Sequence, residues 1–363
     1  RNNAITNLVS PSSQSLYVQT TMNSIIAPCD NSPQFLTIPT PYLCANNLAI
    51  YNHGATDVDG DSLYYSFSNP LTTPGPPGTP IAFSTGYSLL QPMLTTAGMN
   101  LNQTTGEMCF TPSTGQIAVV SVLIQEFRNG VLIGSLIREM QVIVDPTCTN
   151  QNPTTGTTAT CGGAGGMTIT QQGPTVTQID GNSLMMCPND NVCFDINFSD
   201  PDGNNITINS NVATGIPNAT FTVVNNGTTN PVATFCWTPT PLDSGLNVFA
   251  VTATDDACPI EGLQTFAYDI TIFDQPYAGL DQTICGPQSA QLSASGGAGY
   301  NWSVLSGDPI VVGTNFSCNP CTNPVATPSV TTTYLLTSPL SAACVNTDTV
   351  VVNVVPDFTI TTT

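Results

Sequence analysis

Three carboxylates alternate along one short turn, where their chemistry suits a hard cation. Asp57, Asp59 and Asp61 surround Gly60, between a strand-like segment that ends at Thr56 and another that starts near Leu63. In an extended backbone, alternate side chains point to one side. Ca²⁺ takes about six to eight oxygen ligands. The pattern therefore predicts a Ca²⁺ site, and other loops would have to supply further ligands.

Glu126 is a candidate for such a further ligand. The turn itself recurs later in the chain. The second copy runs from Asp200 through Asp202 and Gly203 to Asn204, with Asp255 and Asp256 as further candidates. Neither copy is an EF-hand, because Ser68 stands where the first loop would need a bidentate Glu. The alternative is that these side chains only cap the turn by accepting backbone N–H bonds. The predicted metal ligands are Asp57, Asp59, Asp61, Asp200 and Asp202.

Catalytic chemistry has little support in the sequence. A Ser-His-Asp site needs a histidine, and His53 is the only one in the chain. It precedes Gly54 on the approach to the acidic turn, which favours a structural or cation-adjacent role. Hydrolysis by a pair of carboxylates is also disfavoured, because nothing in the sequence marks a substrate-binding cleft. We therefore predict that the protein is not an enzyme. Arg128 and Arg138 are two of only three cationic side chains, and we expect them to pair with nearby carboxylates.

The charge balance excludes several classes of partner. The chain has 363 residues with three Lys or Arg, 23 Asp or Glu and a formal net charge of −20. A nucleic-acid binder needs a basic surface to displace counterions, and binding to anionic lipid needs the same. The acidic composition, with few charges overall, is typical of extracellular β proteins that bind cations. The alternative is that the acidity only maintains solubility.

Thirteen cysteines indicate an oxidising compartment and a framework of disulfides. Zinc is disfavoured because Cys318 and Cys321 form the only closely spaced pair and no histidine lies near them. The odd count leaves one free thiol, or one whose partner lies outside this sequence. The candidate pairs are Cys44–Cys109, with Cys29–Cys44 as its competitor, and Cys148–Cys161, Cys187–Cys258, Cys193–Cys236, Cys285–Cys344 and Cys318–Cys321.

Internal repetition divides the chain into modules. Cys44 precedes Asp57 by 13 positions, as Cys187 precedes Asp200, and the segment 108–112 (MCFTP) matches 235–239 (FCWTP). A repeat above about 100 residues indicates tandem domains. The predicted organisation is a first module at 1–148, a Thr/Gly-rich linker at 149–166, a second module at 167–275, a third at 276–356, and the start of a further domain at 357–363.

The predicted fold class is all-β, as tandem Ig-like or cadherin-like β-sandwich domains in an elongated array. Short strand-like runs separated by turn residues recur throughout, and no segment has helical periodicity. The clearest element is a hairpin with arms at 117–127 and 131–144. Asn129 and Gly130 suit its two-residue type I′ turn. Because both arms are rich in Val and Ile, this hairpin should be central in its sandwich.

The order of several motifs resembles the large repetitive surface proteins of Bacteroidota, especially gliding-motility-associated adhesins. The segments that carry this resemblance are 29–33 (CDNSP), 55–63 (ATDVDGDSL), 125–130 (QEFRNG), 132–134 (LIG), 138–141 (REMQ), 235–239 (FCWTP), 256–259 (DACP), 278–285 (AGLDQTIC) and 331–334 (TTTY). The third module also resembles PKD and Ig-like repeats, and the acidic turns resemble the calcium-binding turns of cadherin-like domains.

The resemblance implies a secreted, multidomain cell-surface adhesin or extracellular filament, exported by the type IX system and used in adhesion and gliding. It also implies O-glycosylation at Ser62 and Thr349, which lie in Asp-Ser/Thr-apolar triplets. The expected partners are neighbouring domains of the same longer chain and a surface or glycan ligand. The alternative is a set of carbohydrate-binding modules beside an enzyme, for which Tyr64, Tyr87 and Tyr300 are the candidate aromatic platforms.

Overall fold

The chain folds almost entirely into β-strands. The computed structural model describes residues 1–35, 37–39, 42–75, 78–156, 161, 166–297, 299–338, 344 and 346–356. Their helical segments are one turn of α-helix, α1 (Val212–Gly215), and two 3₁₀ turns at Pro11–Ser13 and Pro241–Asp243. No helix within these ranges has the length and apolarity to cross a membrane. The predicted further domain at 357–363 lies outside the described residues.

The first module consists of two main sheets. Its strands are β1 (Thr20–Met22), β2 (Gln34–Phe35), β3 (Tyr42–Cys44), β4 (Ala49–Asn52), β5 (Ala55–Thr56), β6 (Ser62–Phe67), β7 (Leu71–Thr73), β8 (Thr79–Pro80), β9 (Thr95–Leu101), β10 (Glu107–Pro112), β11 (Gln116–Arg128) and β12 (Val131–Asp145). One sheet has the order β1-β12-β11-β6, with β3 also paired to β12, and the other has the order β4-β10-β9. The predicted hairpin is β11–β12, and it lies in the centre of its sheet.

The hairpin turn has the geometry that its sequence predicts. Asn129 has φ 52° and Gly130 has φ 75°, both in the left-handed region that a type I′ turn requires. Apolar side chains on the inner face of both arms, together with Tyr51, Met108 and Phe110 from the other sheet, form the core of the module.

The second module repeats this plan. Its strands are β13 (Thr154–Thr155), β14 (Met167–Gln172), β15 (Thr177–Gln178), β16 (Ser183–Met186), β17 (Val192–Ser199), β18 (Ile206–Ser210), β19 (Thr220–Val224), β20 (Val232–Trp237), β21 (Gly245–Asp255) and β22 (Leu263–Ile272). The sheets have the orders β13-β17-β20-β19, with β14 also on β17, and β15-β16-β22-β21-β18. Stacked rings of Phe194, Phe235, Phe249 and Tyr268 fill the space between them.

The third module is smaller. Its strands are β23 (Gln282–Cys285), β24 (Ala290–Gln291), β25 (Asn301–Ser306), β26 (Val325–Ala326), β27 (Thr332–Thr337) and β28 (Thr347–Val355). The main sheet has the order β23-β28-β27-β25. Trp302 is buried in a separate core with Phe316 and Tyr334. In all three modules an early strand pairs in parallel with the last one: β3 with β12, β16 with β22, and β23 with β28.

The first two modules meet at a packed joint. Ile50 and Cys109 of the first module belong to the same buried cluster as the core of the second. The Ile50 N–H donates to Gln264 Oε1, and Gln264 Nε2 donates to the Leu48 carbonyl at 3.0 Å. Glu107 Oε2 accepts the Ala267 N–H at 2.8 Å. Part of the predicted linker, β13, is also a strand of the second module. Segment 149–156 is therefore built into the joint.

Two of the predicted disulfides are present in the structure. Cys193 bonds to Cys236 across the adjacent strands β17 and β20, where the two residues are register partners. Cys318 bonds to Cys321 within one loop. The second-module pair is the one that its strand positions predicted.

In the first module, the predicted pairs Cys44–Cys109, Cys29–Cys44 and Cys148–Cys161 are wrong. Cys44 bonds to Cys148, because the parallel pairing of β3 and β12 places Cys44 beside Asp145. Cys109 lies opposite Ile50, which occupies the position of Cys193 in the repeat. It therefore has no cross-strand cysteine and bonds to Cys161 of the linker.

The remaining predicted pairs, Cys187–Cys258 and Cys285–Cys344, are also wrong. Cys187 follows the end of β16, whereas Cys258 lies in the β21–β22 loop at the other end of those strands. Cys187 instead bonds to Cys344, which links the second module to the third. Cys285 lies opposite Val355, at the end of β28 remote from Cys344. Cys29, Cys258 and Cys285 are free and exposed, so three thiols are unpaired where the odd count required one.

Candidate cation site at the tip of the first module

The acidic turn lies at one end of the first module, together with the β11–β12 end of its main sheet. We call this end the tip and define it by Asp30, the turn 57–61, and Glu126 to Gly134. Antiparallel pairing of β6 with β11 places Leu63 opposite Glu126. Strand pairing thus brings the turn to a carboxylate more than 60 positions away in the sequence.

Asp57 has two roles in the turn. Its Oδ1 accepts the N–H groups of Asp59 at 2.9 Å and Asp61 at 3.1 Å, which is the capping role proposed as the alternative to metal binding. Gly60 has φ 81°, which favours glycine in this tight turn. Asp57 Oδ2 is buried, and no donor from the described residues reaches it. Capping therefore uses one oxygen and leaves the other without a partner.

Three carboxylates converge beside that oxygen. Asp57, Asp61 and Glu126 each offer one oxygen, and these oxygens lie within 4.8 Å of one another. Glu126 is buried, with 2% of its surface exposed. Its Oε1 has no hydrogen-bond partner among the described residues. Burial and contact with Asp57 raise the pKa of Glu126 well above its ordinary value. Such a group either takes up a proton or faces a cation.

The space for the Glu126 carboxylate depends on a glycine. Gly134 is the register partner of Glu126 on β12. A Cβ atom at Gly134 would lie 2.5 Å from Glu126 Oε2, closer than any real side chain tolerates. The observed position of the carboxylate therefore requires a glycine at 134, which the hairpin sequence did not reveal.

A second acidic cluster at the tip already contains a cation, the Arg128 guanidinium. Arg128 Nε donates to Asp61 Oδ1 at 2.8 Å, and Nη2 donates to Asp61 Oδ2 and, at 2.7 Å, to Asp30 Oδ1. Asp59 Oδ2 lies 3.8 Å from Nη2. These carboxylates raise the pKa of Arg128, the Asp61 hydrogen bond most strongly. The predicted pairing of Arg128 with nearby carboxylates is confirmed.

The three turn carboxylates do not point to one side, as the extended-backbone argument assumed. Asp59 lies away from Glu126 and accepts the Asn31 N–H at 2.7 Å, which lowers the pKa of Asp59. The structure therefore assembles Asp57 and Asp61 with Glu126, and places Asp59 in the cluster around Arg128.

Asp200 and Asp202 occupy equivalent positions in the second module but gather no third carboxylate among the described residues. Asp200 Oδ1 accepts the N–H groups of Asp202 at 2.8 Å and Asn204 at 3.1 Å. Asp202 Oδ2 accepts the Gln151 N–H at 2.7 Å. Asp200 Oδ2 is buried without a partner in the described structure, and burial raises the pKa of Asp200. This copy caps its turn in the same way but has fewer charges.

His53 lies in the interior of the first module, and the half-buried Arg138 side chain lies beside it. His53 is fully buried against the rings of Tyr51 and Tyr65, and burial lowers the pKa of His53 to about 3. Arg138 donates to the carbonyls of His53, at 2.9 Å, and Thr37, and its guanidinium lies 4.3 Å from the Phe35 ring centroid. The prediction that Arg138 pairs with a carboxylate is wrong, because its side chain points to these carbonyls.

The remaining candidate residues lie at the surface. Ser62 and Thr349, the predicted glycosylation positions, are both exposed. Tyr64, Tyr87 and Tyr300 are only partly exposed. The hydroxyl of Tyr300 donates to the Gly297 carbonyl at 2.9 Å, and that of Tyr87 donates to Thr6 Oγ1 at 3.3 Å. None of these tyrosines presents a fully exposed aromatic platform.

Similarity of this chain to known proteins is found among solved structures. No protein-family model and no curated protein sequence matches the chain. Among solved structures, the chain is similar to titin domains I67–I69 in an E-to-A variant, with 9% identity over 90% of this chain and 99% of that one, at a TM-score of 0.32. The full ectodomain (Ig1–Ig3) of mouse nectin-like molecule 4 gives 9% identity over 90% and 100% of the two chains, also at 0.32.

A third similar structure contains extracellular cadherin domains 1–4 of protocadherin gamma B7. The identity is 12% over 88% of this chain and 75% of that one, at a TM-score of 0.27. Because all three TM-scores are low, these similarities carry no argument about function. The sheets and cores described above define the class as an all-β protein made of tandem, disulfide-bonded sandwiches, and the prediction of tandem β-sandwich domains is confirmed.

Proposed function

We propose that this chain is a non-catalytic structural segment of a secreted cell-surface adhesin or extracellular filament. The observation that carries the proposal is the way in which the modules are fastened together. Cys187–Cys344 joins the second and third modules, and Cys109–Cys161 ties the first module to the linker. Ile50 and Cys109 pack into the core of the second module. Such joints suit a chain that transmits force between its ends.

The setting follows from the same features. Disulfides at this density persist in oxidising, extracellular surroundings, and the net charge of −20 disfavours binding to nucleic acid or anionic lipid. The partners in this proposal are neighbouring domains of a longer chain and a surface or glycan ligand. The sequence resemblance adds three further parts to the proposal: a role in gliding motility, export by the type IX system, and glycosylation at Ser62 and Thr349.

Electron microscopy of negatively stained single particles tests the structural role. We expect an extended string of three modules, with a constant angle between the first two because their joint is packed. A single compact globule would contradict the proposal. A screen against polysaccharides provides a second test, because release of sugar by the purified chain would show that it is an enzyme.

Ca²⁺ at the tip of the first module is the second part of the proposal. Asp57, Asp61 and Glu126 fit the ion, because they supply only oxygen ligands and two of these oxygens are buried without a donor among the described residues. The ion would replace the proton that otherwise relieves repulsion between Asp57 and Glu126. Its role would be to hold the turn against the hairpin and so stiffen this end of the module.

Thermal melting in CaCl₂ and in chelator tests this site. A ligand at 100 times its dissociation constant stabilises the folded state by about 2.7 kcal/mol, which raises Tm by several degrees. We expect this rise in the unmodified chain and in Glu261→Gln, which alters an exposed glutamate of the second module. Glu126→Gln should abolish it. Equal melting temperatures for the unmodified chain in CaCl₂ and chelator would leave Asp57 with the capping role alone.

A further inference from the structure

The two acidic turns correspond not only in their sequence motif but also in the residues that strand pairing places beside them. Leu63 pairs with Glu126 in the first module, and Ile206 pairs with Asp255 in the second. Since Leu63 and Ile206 each lie six positions after the first aspartate of their turn, Asp255 is the counterpart of Glu126. Both carboxylates also face a glycine. A Cβ atom at Gly262 would lie 2.4 Å from Asp255 Oδ2.

The same correspondence extends to the segment that enters each module. Asn31 and Gln151 both donate their N–H to the middle aspartate of the turn at 2.7 Å. The residues before them are therefore counterparts, and these are Asp30 in the first module and Asn150 in the second. Asp30 is one of the carboxylates that bind Arg128, and its Oδ2 is buried without a partner among the described residues.

Four positions around the turn can thus be compared. The first module has the four carboxylates Asp30, Asp57, Asp61 and Glu126. The second module has two carboxylates, Asp200 and Asp255, and two neutral amides, Asn150 and Asn204. Arg128 also has no cationic counterpart, because Ala257 occupies its position counted from Asp255. Even with the positive charge of Arg128 subtracted, the second set of residues is less negative than the first, so it attracts a divalent cation less strongly.

The Asn150 side chain fills this second pocket. Asn150 Nδ2 donates to Asp255 Oδ2 at 2.9 Å and to the Ile260 carbonyl at 3.3 Å. Asn150 Oδ1 accepts from Asn204 Nδ2 at 3.2 Å. Asp255 Oδ1 also accepts two backbone N–H groups, from Ala257 at 3.1 Å and Gly262 at 2.8 Å. Both oxygens of Asp255 are thereby satisfied by the protein, in contrast to Glu126.

Asn150 also connects this pocket to the first module. Its backbone carbonyl accepts from Asn47 Nδ2, and two residues later Asn152 Nδ2 donates to the Leu48 carbonyl at 2.8 Å. Asn47 and Leu48 precede β4, the strand that packs at the joint. One residue of the connecting segment therefore contacts the acidic turn, the β21–β22 loop and the preceding module.

We propose that the second acidic turn is a cation-independent clasp between the first two modules, in which the Asn150 amide takes the place that a cation has in the first. The two copies of the motif thus have different roles: the first binds a divalent cation, and the second stabilises the joint through hydrogen bonds. This inference rests on the proposed function for the first copy, and it adds the assignment of the second.

Calorimetric titration of the chelator-stripped chain with CaCl₂ tests this division. We expect one bound ion per chain, loss of binding in Glu126→Gln, and a second bound ion in Asn150→Asp, which restores the carboxylate found at Asp30. Two bound ions in the unmodified chain would overturn the clasp. No bound ion would overturn the cation site of the first module and leave the clasp to be judged by the next measurement.

Melting of Asn150→Ala in CaCl₂ and in chelator judges the clasp by itself. We expect Tm to fall by about 2–6 °C, by the same amount in both solutions, because the lost hydrogen bonds do not involve the ion. Asn230→Ala, at an exposed asparagine of the same module, is the matched control and should leave Tm unchanged. A fall that disappears in either solution, or no fall at all, would overturn the proposal.

Discussion

Glu107 makes the stability of the joint depend on pH. Its carboxylate lies between the first two modules and accepts the Ala267 N–H at 2.8 Å. Burial raises the pKa of Glu107 from 4.5 to about 7, and the nearby carboxylates of Asp269 and Asp180 add to this rise. Among the described residues, no positively charged side chain offsets the effect of these carboxylates on the pKa of Glu107. The folded structure therefore favours the protonated form of the Glu107 carboxyl group.

The direction and size of the effect follow from this pKa. The folded joint binds a proton more tightly than the unfolded chain, so the contribution of Glu107 is fully present below pH 4.5 and is lost as the pH rises through about 7. A pKa change of this size corresponds to about 3 kcal/mol. The free energy of unfolding should therefore fall by up to about 3 kcal/mol, from this group alone, between pH 4.5 and pH 8.

Urea unfolding at a series of pH values measures this dependence. We expect Glu107→Gln, which imitates the protonated form, to lose most of the decrease that the unmodified chain shows between pH 5 and pH 8. Glu261→Gln removes an exposed carboxylate of the second module and should retain the decrease. If Glu107→Gln and the unmodified chain had the same slope against pH, the reasoning about this buried carboxylate would be refuted.

Two further substitutions test the site and the core. Gly134→Ala places a Cβ 2.5 Å from Glu126 Oε2, so we expect the Ca²⁺-induced rise in Tm to be lost; an unchanged rise would show that the carboxylate is free to move. Phe249→Ala removes a fully buried ring that stacks on its neighbours and should lower the free energy of unfolding by about 3–5 kcal/mol in urea titrations. Leu242→Ala, at a residue 95% exposed, should change it by less than about 0.5 kcal/mol.

Local patterns in the sequence determined much of this protein. The Val- and Ile-rich arms on both sides of Asn129-Gly130 predicted the central hairpin, because strand propensity and turn chemistry are properties of neighbouring residues. The strand-like segments around Cys193 and Cys236 predicted that these two residues lie on adjacent strands. The capping role of Asp57 likewise involves N–H groups two and four positions away.

Only the tertiary structure decided which distant residues meet. It placed Glu126 against Gly134 beside Asp57, turned Asp59 toward Asn31, and led Asn150 into the second copy of the turn. Cys44 found Cys148 instead of Cys109 for the same reason. Composition and spacing determine strands and turns because these depend on local backbone preferences. Partners across sheets depend on register and on the path of each connecting segment, which no local pattern records.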